Sequence, residues 1–274
     1  MRNGNGNILG ARRVPTAQAA GGVWGVEDAY LADRDAQWPR WPENVGIPFD
    51  GRLRMWLEAD YGLYRDADAT VPVTANGQSV KSWVNRGNSG RLIHSSGTPP
   101  TKTASGLDFA TNPGFDALDC DRGRYNYAFA VGTQENNSGR SFISGPASSV
   151  PLIRPSSLSG SRYCSVTGPS YTGVLNVSFA GGTALFSSLH GLLLPSTGSV
   201  EQVVGSAGVT QVKAGVASYP PQGRALMSVG AGTNRANLAA VIWYSSDEMM
   251  SLDEINHVMA YLGTKYGVAY PVFA

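Results

Sequence analysis

The chain has 274 residues, of which 42% are hydrophobic and only 15% charged, with a net charge of +1. That near-neutral balance excludes an electrostatic case for nucleic acid or an anionic membrane surface, and no apolar run reaches the length of a membrane span. Charged content is well below the usual quarter or so, so the surface must be built from Gly, Ser, Thr and Asn, as is common in proteins that work outside cells.

Residues 1 to 21 are rich in Gly, Asn and Ala and show no periodicity. They are expected to form an extended arm, because they carry too little apolar surface to offset ordering entropy. The arm has no apolar core of signal-peptide length, so a protein working outside a cell would be released by lysis. In residues 22 to 42, Val26, Ala29, Tyr30 and Asp33 fall at helical steps, and Glu27 and Asp28 suit a first turn. The spacing predicts a short helix over Val26 to Ala36. Trp38-Pro39-Arg40-Trp41-Pro42 then forces an extended exit. Trp24, Trp38 and Trp41 sit in a piece too small to bury them, so the rest of the chain or another chain must cover them. We expect an N-terminal attachment segment over residues 1–50 and a single domain over 51–274.

In Leu53 to Asp60, the residues Leu53, Met55, Leu57 and Ala59 alternate with polar or amphipathic ones, the pattern of a half-buried strand. Glu58 and Asp60 share the other face by the same period and are expected at a solvated edge or in a turn cap. Asn76-Gly77 marks a tight turn. Val80 to Val84 reads as a short strand carrying Trp83, Asn85 to Gly90 as a loop, and Gly106 to Phe109 as a strand start. From residue 122 to 236, short strands alternate with Gly, Ser and Pro clusters, as a sandwich requires. They are predicted at Tyr125–Val131, Ser141–Ile143, Arg162–Val166, Val174–Phe179, Ala184–Leu189, Gln202–Val204, Gln211–Ala217 and Ala225–Val229.

Ala239 to Tyr244 is an apolar core strand, followed by a helix over Leu252 to Tyr266. Ser251 and Glu254 have capping-box spacing, and Met250 and Ile255 are placed for a hydrophobic staple. Leu252, Ile255, Val258, Met259, Leu262 and Tyr266 form one apolar face, and Gly267 is placed as a C-terminal cap. The expected fold is an all-β sandwich with this helix packed at its edge. The terminal strand should neighbour Met55-Trp56-Leu57.

The order of elements resembles the concanavalin A-like, laminin-G-like jelly roll. Met55-Trp56-Leu57-Glu58-Ala59 matches its opening strand and Val80-Lys81-Ser82-Trp83 its second element. Val241 to Tyr244, with Tyr261-Leu262-Gly263-Thr264-Lys265-Tyr266-Gly267, matches its close. The resemblance spans about residues 52 to 268 and implies a jelly-roll β-sandwich with a C-terminal helix. It says little about function, because this fold hosts lectins, glycanases and structural modules. Gly22, Val23, Trp24, Tyr30, Trp38 and Pro39 resemble a segment of tailed-phage virion proteins, found in fibre-like or other particle-attached proteins. That resemblance implies a virion location and other virion proteins as partners. Attachment would run through Val23, Trp24, Tyr30, Trp38 and Trp41, with a homo-oligomer or multiple copies on a particle.

Chemical motifs are sparse. Glycoside hydrolysis uses two carboxyl groups flanking one bond, yet residues 122 to 246 contain only Glu135 and Glu201 as acids. No nucleophile elbow or phosphate loop occurs, and His94, His190 and His257 are dispersed. We therefore expect no catalytic residue and no enzymatic activity. Asp116, Asp119 and Asp121 cluster near Asn112 in an expected loop, as turn formers or as oxygen ligands for calcium; no other cofactor is indicated. Cys120 and Cys164 fit neither a zinc pattern nor a disulfide framework, leaving buried thiols or one disulfide. Tyr163, Tyr171 and Tyr219 lie near Gly/Ser/Pro loops, where tyrosines pack loops or contact glycans. A lectin-like module recognising a host surface polysaccharide is the alternative function, with a glycanase, short of acids as the chain is, ranked after it.

Overall fold

The apolar run around Val241 is the middle of a long strand on which the larger sheet is arranged. The computed structural model describes residues 47–88, 92–109, 114–123, 125–134, 142–144, 154–158, 161–166, 175–179, 183–194, 199–206, 209–213, 223–229 and 236–273. The chain divides into two compact units, Met1–Val45 and Gly46–Ala274, and all described residues belong to the second. The predicted arm, short helix and Trp-rich segment lie outside the described residues.

In chain order the elements are β1 (Leu53–Glu58), β2 (Leu63–Tyr64), β3 (Ser82–Val84), β4 (Leu92–Ser96), β5 (Thr101–Thr103), β6 (Gly106–Asp108), β7 (Gly114–Arg122) and β8 (Tyr125–Gln134). They continue with β9 (Ile143–Ser144), β10 (Arg154–Leu158), β11 (Ser161–Val166), β12 (Leu175–Phe179), β13 (Ala184–Leu194), β14 (Ser199–Ser206), β15 (Val209–Lys213), β16 (Gly223–Val229), β17 (Ala236–Ser246) and the helix α1 (Leu252–Tyr266). The larger sheet has the order β15-β14-β13-β8-β17-β6-β5, with β1 also on β17. A second sheet runs β2-β3-β4-β7-β16-β9, and β10-β11-β12 form a third. All the pairings are antiparallel, so the protein is an all-β sandwich with a terminal helix.

β17 is the hub. One edge pairs with β8 along its whole length. The other edge is shared by β6 at Asn237–Leu238 and β1 at Ala240–Tyr244. Met55 faces Trp243, Trp56 faces Ile242 and Leu57 faces Val241, so the opening and closing elements are neighbours, as the sequence predicts. Between the two larger sheets lies one core. Met55, Leu57, Ala128, Ala130, Phe186, Val241 and Trp243 come from one side, and Trp83, Ile93, Phe115, Ile143 and Val229 from the other. Burial of each such large side chain contributes about 1.5–3 kcal/mol.

Two expectations are corrected. β1 is not half-buried: from Met55 to Glu58 every residue is buried. The reason is the helix. α1 packs against β8 and β13, inner strands of the larger sheet, and so covers a face rather than an edge. Trp56, Phe129, Leu185 and Ile242, on the outer face by strand alternation, are buried, as are Ile255, Val258, Met259 and Leu262 of the helix. The second correction is β7, a nine-residue strand where the Asp-rich run was expected to be a loop.

The helix ends follow the sequence. The Ser251 hydroxyl accepts from the Glu254 N–H at 3.2 Å and the Glu254 carboxylate accepts from the Ser251 N–H at 2.7 Å. Gly267 closes the helix with a left-handed φ of 63°, which a glycine adopts without the steric cost a side chain brings. The following chain turns back along the helix. Asn256 donates to the Phe273 carbonyl at 2.7 Å and accepts from the Phe273 N–H at 2.9 Å. The Tyr270 ring occupies the space where a Cβ on Gly263 would sit.

Candidate functional site

The densest group of charged side chains among the described residues gathers at the end of β1, under the last turns of α1. Period-two alternation points Glu58 to the same side as Trp56, and that side is roofed by the helix. The Glu58 side chain is completely buried. Its Oε2 accepts from the Arg86 guanidinium at 2.5 Å. Its Oε1 accepts from the Tyr261 hydroxyl at 2.6 Å and from the Lys265 ammonium at 2.9 Å. The same ammonium lies 3.0 Å from the exposed Asp60 carboxylate. Tyr261 and Lys265 stand one helical turn apart, so both reach down from one flank of α1.

The backbone and rings around this carboxylate fix its position. The Glu58 carbonyl accepts from the Trp83 indole N–H at 3.0 Å and from the Tyr61 N–H at 2.9 Å. Arg86 lies over the Trp56 ring at 4.3 Å and over the Tyr61 ring at 4.5 Å. Trp56 meets Tyr261 edge to face, with ring centroids 5.8 Å apart. Two acids and two cations balance, so each buried charge has an opposite partner. Burial, followed by the charge of Glu58 and the hydrogen bond to it, pushes the Tyr261 hydroxyl above its ordinary pKa. Burial first, and then the Glu58 and Asp60 charges, does the same to Tyr266.

A second group ties the start of α1 to the start of β1. Arg52 donates to Asp50 at 2.7 Å and also bonds Glu254. The hydrogen bond from Arg52 holds the Asp50 carboxyl below its ordinary range. Burial alone would raise the Glu254 carboxyl, but the hydrogen bonds from Arg52 and from Ser251 outweigh it and the net shift is downward. Nearby, the Tyr244 hydroxyl donates to the Pro48 carbonyl at 2.9 Å.

The chemistry open to the first cluster follows from its saturation. Glu58 has no solvent-facing oxygen, and an ammonium stands between it and Asp60. The pair cannot flank a glycosidic bond in the way two-carboxylate hydrolysis requires. The expectation that Glu58 lies at a solvated edge is therefore wrong: it is the most enclosed acid of the site, whereas Asp60 does face solvent. Sequence reasoning missed this group because Glu58, Arg86, Tyr261 and Lys265 are contributed by three distant segments. The available signal was the Tyr261–Lys265 pair, at one-turn spacing on the border of the apolar helix face.

Most of the sequence-predicted site residues fall outside what the structure describes. Val23, Trp24, Tyr30, Trp38 and Trp41 lie outside the described residues, as do Tyr171 and Tyr219. Tyr163 is on β11, opposite Ser156 of β10 and Ser178 of β12. Asp119 and Asp121 are on β7, opposite Leu226 and Arg224 of β16, and Asp116 falls at an irregularity in that pairing. The three are strand residues rather than loop residues. Among the described residues no group of three or more His, Cys, Asp or Glu is arranged to hold a metal ion. Cys120 is on β7 and Cys164 on β11, in different sheets.

No protein-family model matches the chain, and no curated protein matches it. Solved structures do. It is similar to a Trypanosoma rangeli sialidase, at 10% identity with a TM-score of 0.49, covering 80% of this chain. The same sialidase, in complex with 2,3-difluorosialic acid as a covalent intermediate, gives 11% identity and a TM-score of 0.47. The chain spans 34% of the length of these sialidases, about a third. It is also similar to the alginate lyase vAL-1 from Chlorella virus, at 12% identity and a TM-score of 0.31, covering 56% of this chain and 93% of that one. These neighbours are carbohydrate-active enzymes, and the expectation of a protein with no enzymatic activity is not borne out. At such identities and TM-scores the likenesses carry no argument about which reaction or ligand belongs to this chain.

Proposed function

We propose that the protein is a bacteriophage virion structural protein, tail-associated, fibre-like or decorating the head, attached through its N-terminal segment and displaying the sandwich. The observation that carries this reading is the Trp-rich stretch near the N-terminus. Trp24, Trp38 and Trp41 fall within residues 22–42, and a segment of that length cannot bury three indoles by itself. Other virion proteins are then the partners that cover them. The sandwich supports the reading from its own side, because the densest charged cluster among its described residues is taken up in holding its own helix.

The test uses the full chain with Trp24→Ser, Trp38→Ser and Trp41→Ser combined. The sandwich should keep its circular dichroism and its melting transition, while incorporation into particles is lost. Normal incorporation of the triple variant would sink the attachment idea. Recognition of a host surface glycan by the displayed domain is compatible with attachment. It would use Tyr163, Tyr171 or Tyr219, and a glycan array with no binding at high protein concentration would remove it.

A further inference from the structure

Among the described residues β1 pairs with β17 on one side only, and its other edge is closed by non-strand chain. The Trp56 N–H donates to Asn85 Oδ1 at 2.8 Å, and Asn85 Nδ2 donates to the Arg54 carbonyl at 3.1 Å. The Arg86 N–H donates to the Trp56 carbonyl at 2.9 Å, and the Asn88 N–H to the Leu53 carbonyl at 2.8 Å. Residues 85–88 thus act as a clip on a largely apolar strand whose open edge would template pairing with another chain. The approach is close: a Cβ on Gly87 would lie 2.6 Å from the Arg54 backbone.

The clip is tied to the helix through Arg86. Its guanidinium is held by the Glu58 carboxylate and lies over the faces of the Trp56 and Tyr61 rings, and the first two of these groups are the ones the helix touches. Both of these are in turn held by α1: Tyr261 and Lys265 bond Glu58, and the Tyr261 ring abuts Trp56. With the helix in place the carboxylate is dry, and a charge-assisted bond in that environment is strong. Removing the helix donors admits water to Glu58 and frees the Trp56 ring, so these two restraints on Arg86 weaken together.

We propose that α1 and the 85–88 clip form one latch, joined through Glu58 and Trp56, so that losing the helix contacts opens the outer edge of β1. This coupling goes beyond attachment to a particle and does not depend on it.

Native-state hydrogen exchange on the full chain tests the latch. Tyr261→Phe combined with Lys265→Met removes both helix donors to Glu58 and leaves the apolar face of α1 intact. The amides of Trp56, Arg86 and Asn88 should then exchange roughly tenfold faster or more. Ser251→Ala loosens only the start of the helix and should leave those three amides unchanged, while Lys265→Arg should retain their protection. If helix amides speed up in the double variant and the three edge amides do not, the latch is overturned. Equal acceleration by Ser251→Ala would overturn the route through Glu58. Should the double variant fail to fold, Lys265→Met alone gives the same comparison.

Discussion

Glu58 and Lys265 are 207 positions apart in the chain, and the ammonium of one meets the carboxylate of the other at 2.9 Å. The contact joins the first strand of the sandwich to the last turn of its helix, and the same carboxylate holds Arg86.

Glu58→Gln should therefore be more damaging than the loss of either cation. It leaves Arg86, whose side chain is 9% exposed, beside Lys265 without the anion they share. Breaking a buried pair in this way costs about 3–5 kcal/mol. Urea unfolding at neutral pH measures it. Adding Lys265→Met to Glu58→Gln should recover little of the loss, since the Lys265 ammonium keeps Asp60 as its anion. A Glu58→Gln variant within about 1 kcal/mol of the parent would mean that the cluster is wet.

The Arg52 group predicts an acid-side effect. Asp50 and Glu254 have folded-state pKa values below their ordinary 3.8 and 4.5. A lowered carboxyl contributes stability that is complete above its ordinary value and is lost as pH falls through the lowered one. Arg52→Met should thus lower the melting temperature at pH 7, and the difference from the parent should shrink progressively below about pH 4. A difference that persists unchanged at the acid end would assign the loss to packing of the arginine stem.

Helix ends give a calibrated pair. Ser251→Ala should cost about 1 kcal/mol by removing the cap. Gly267→Ala should cost about 1–2 kcal/mol through its left-handed backbone alone, because no atom lies within 4 Å of the added Cβ. Thermal melts of the two variants and their combination check both values.

Gly263 makes the opposite case. Alanine is the better helix former by about 1 kcal/mol, but its Cβ would fall 2.0 Å from the Tyr270 ring. Gly263→Ala should therefore destabilise and loosen the Asn256–Phe273 pairing. In a Tyr270→Ala background the same change should stabilise by up to about 1 kcal/mol. If Gly263→Ala stabilises with Tyr270 present, the return of the chain along the helix is not a tight contact.

Much of the architecture was legible in local chemistry. The Ser251–Glu254 box and Gly267 mark the helix, and the Trp83-to-Asn88 stretch is a strand followed by non-strand chain, as its residues suggest. Asn85 could not be read as the partner of a distant strand edge, because side-chain hydrogen bonds across 29 positions leave no periodic signature. β7 was misread for a different reason. Leu118-Asp119-Cys120-Asp121 alternates as a strand should, but the turn preference of aspartate pointed the other way, and pairing with β16 overrode it. The burial of Glu58 was hidden because period two assigns a face and says nothing of what lies on it.

The position of β17 has a consequence for how the protein must come to be folded. β1, β6 and β8 are all made before it, and it is β17 that joins β1 and β6 to β8 in the larger sheet. Until residues 236–246 leave the ribosome, those strands have no common partner, and pairings this far apart in sequence form slowly. The larger sheet is then completed only once β17 has emerged, with strand edges exposed in the interval. A nascent chain stalled before β17 would be a substrate for chaperones or aggregation rather than a shorter version of the same sandwich.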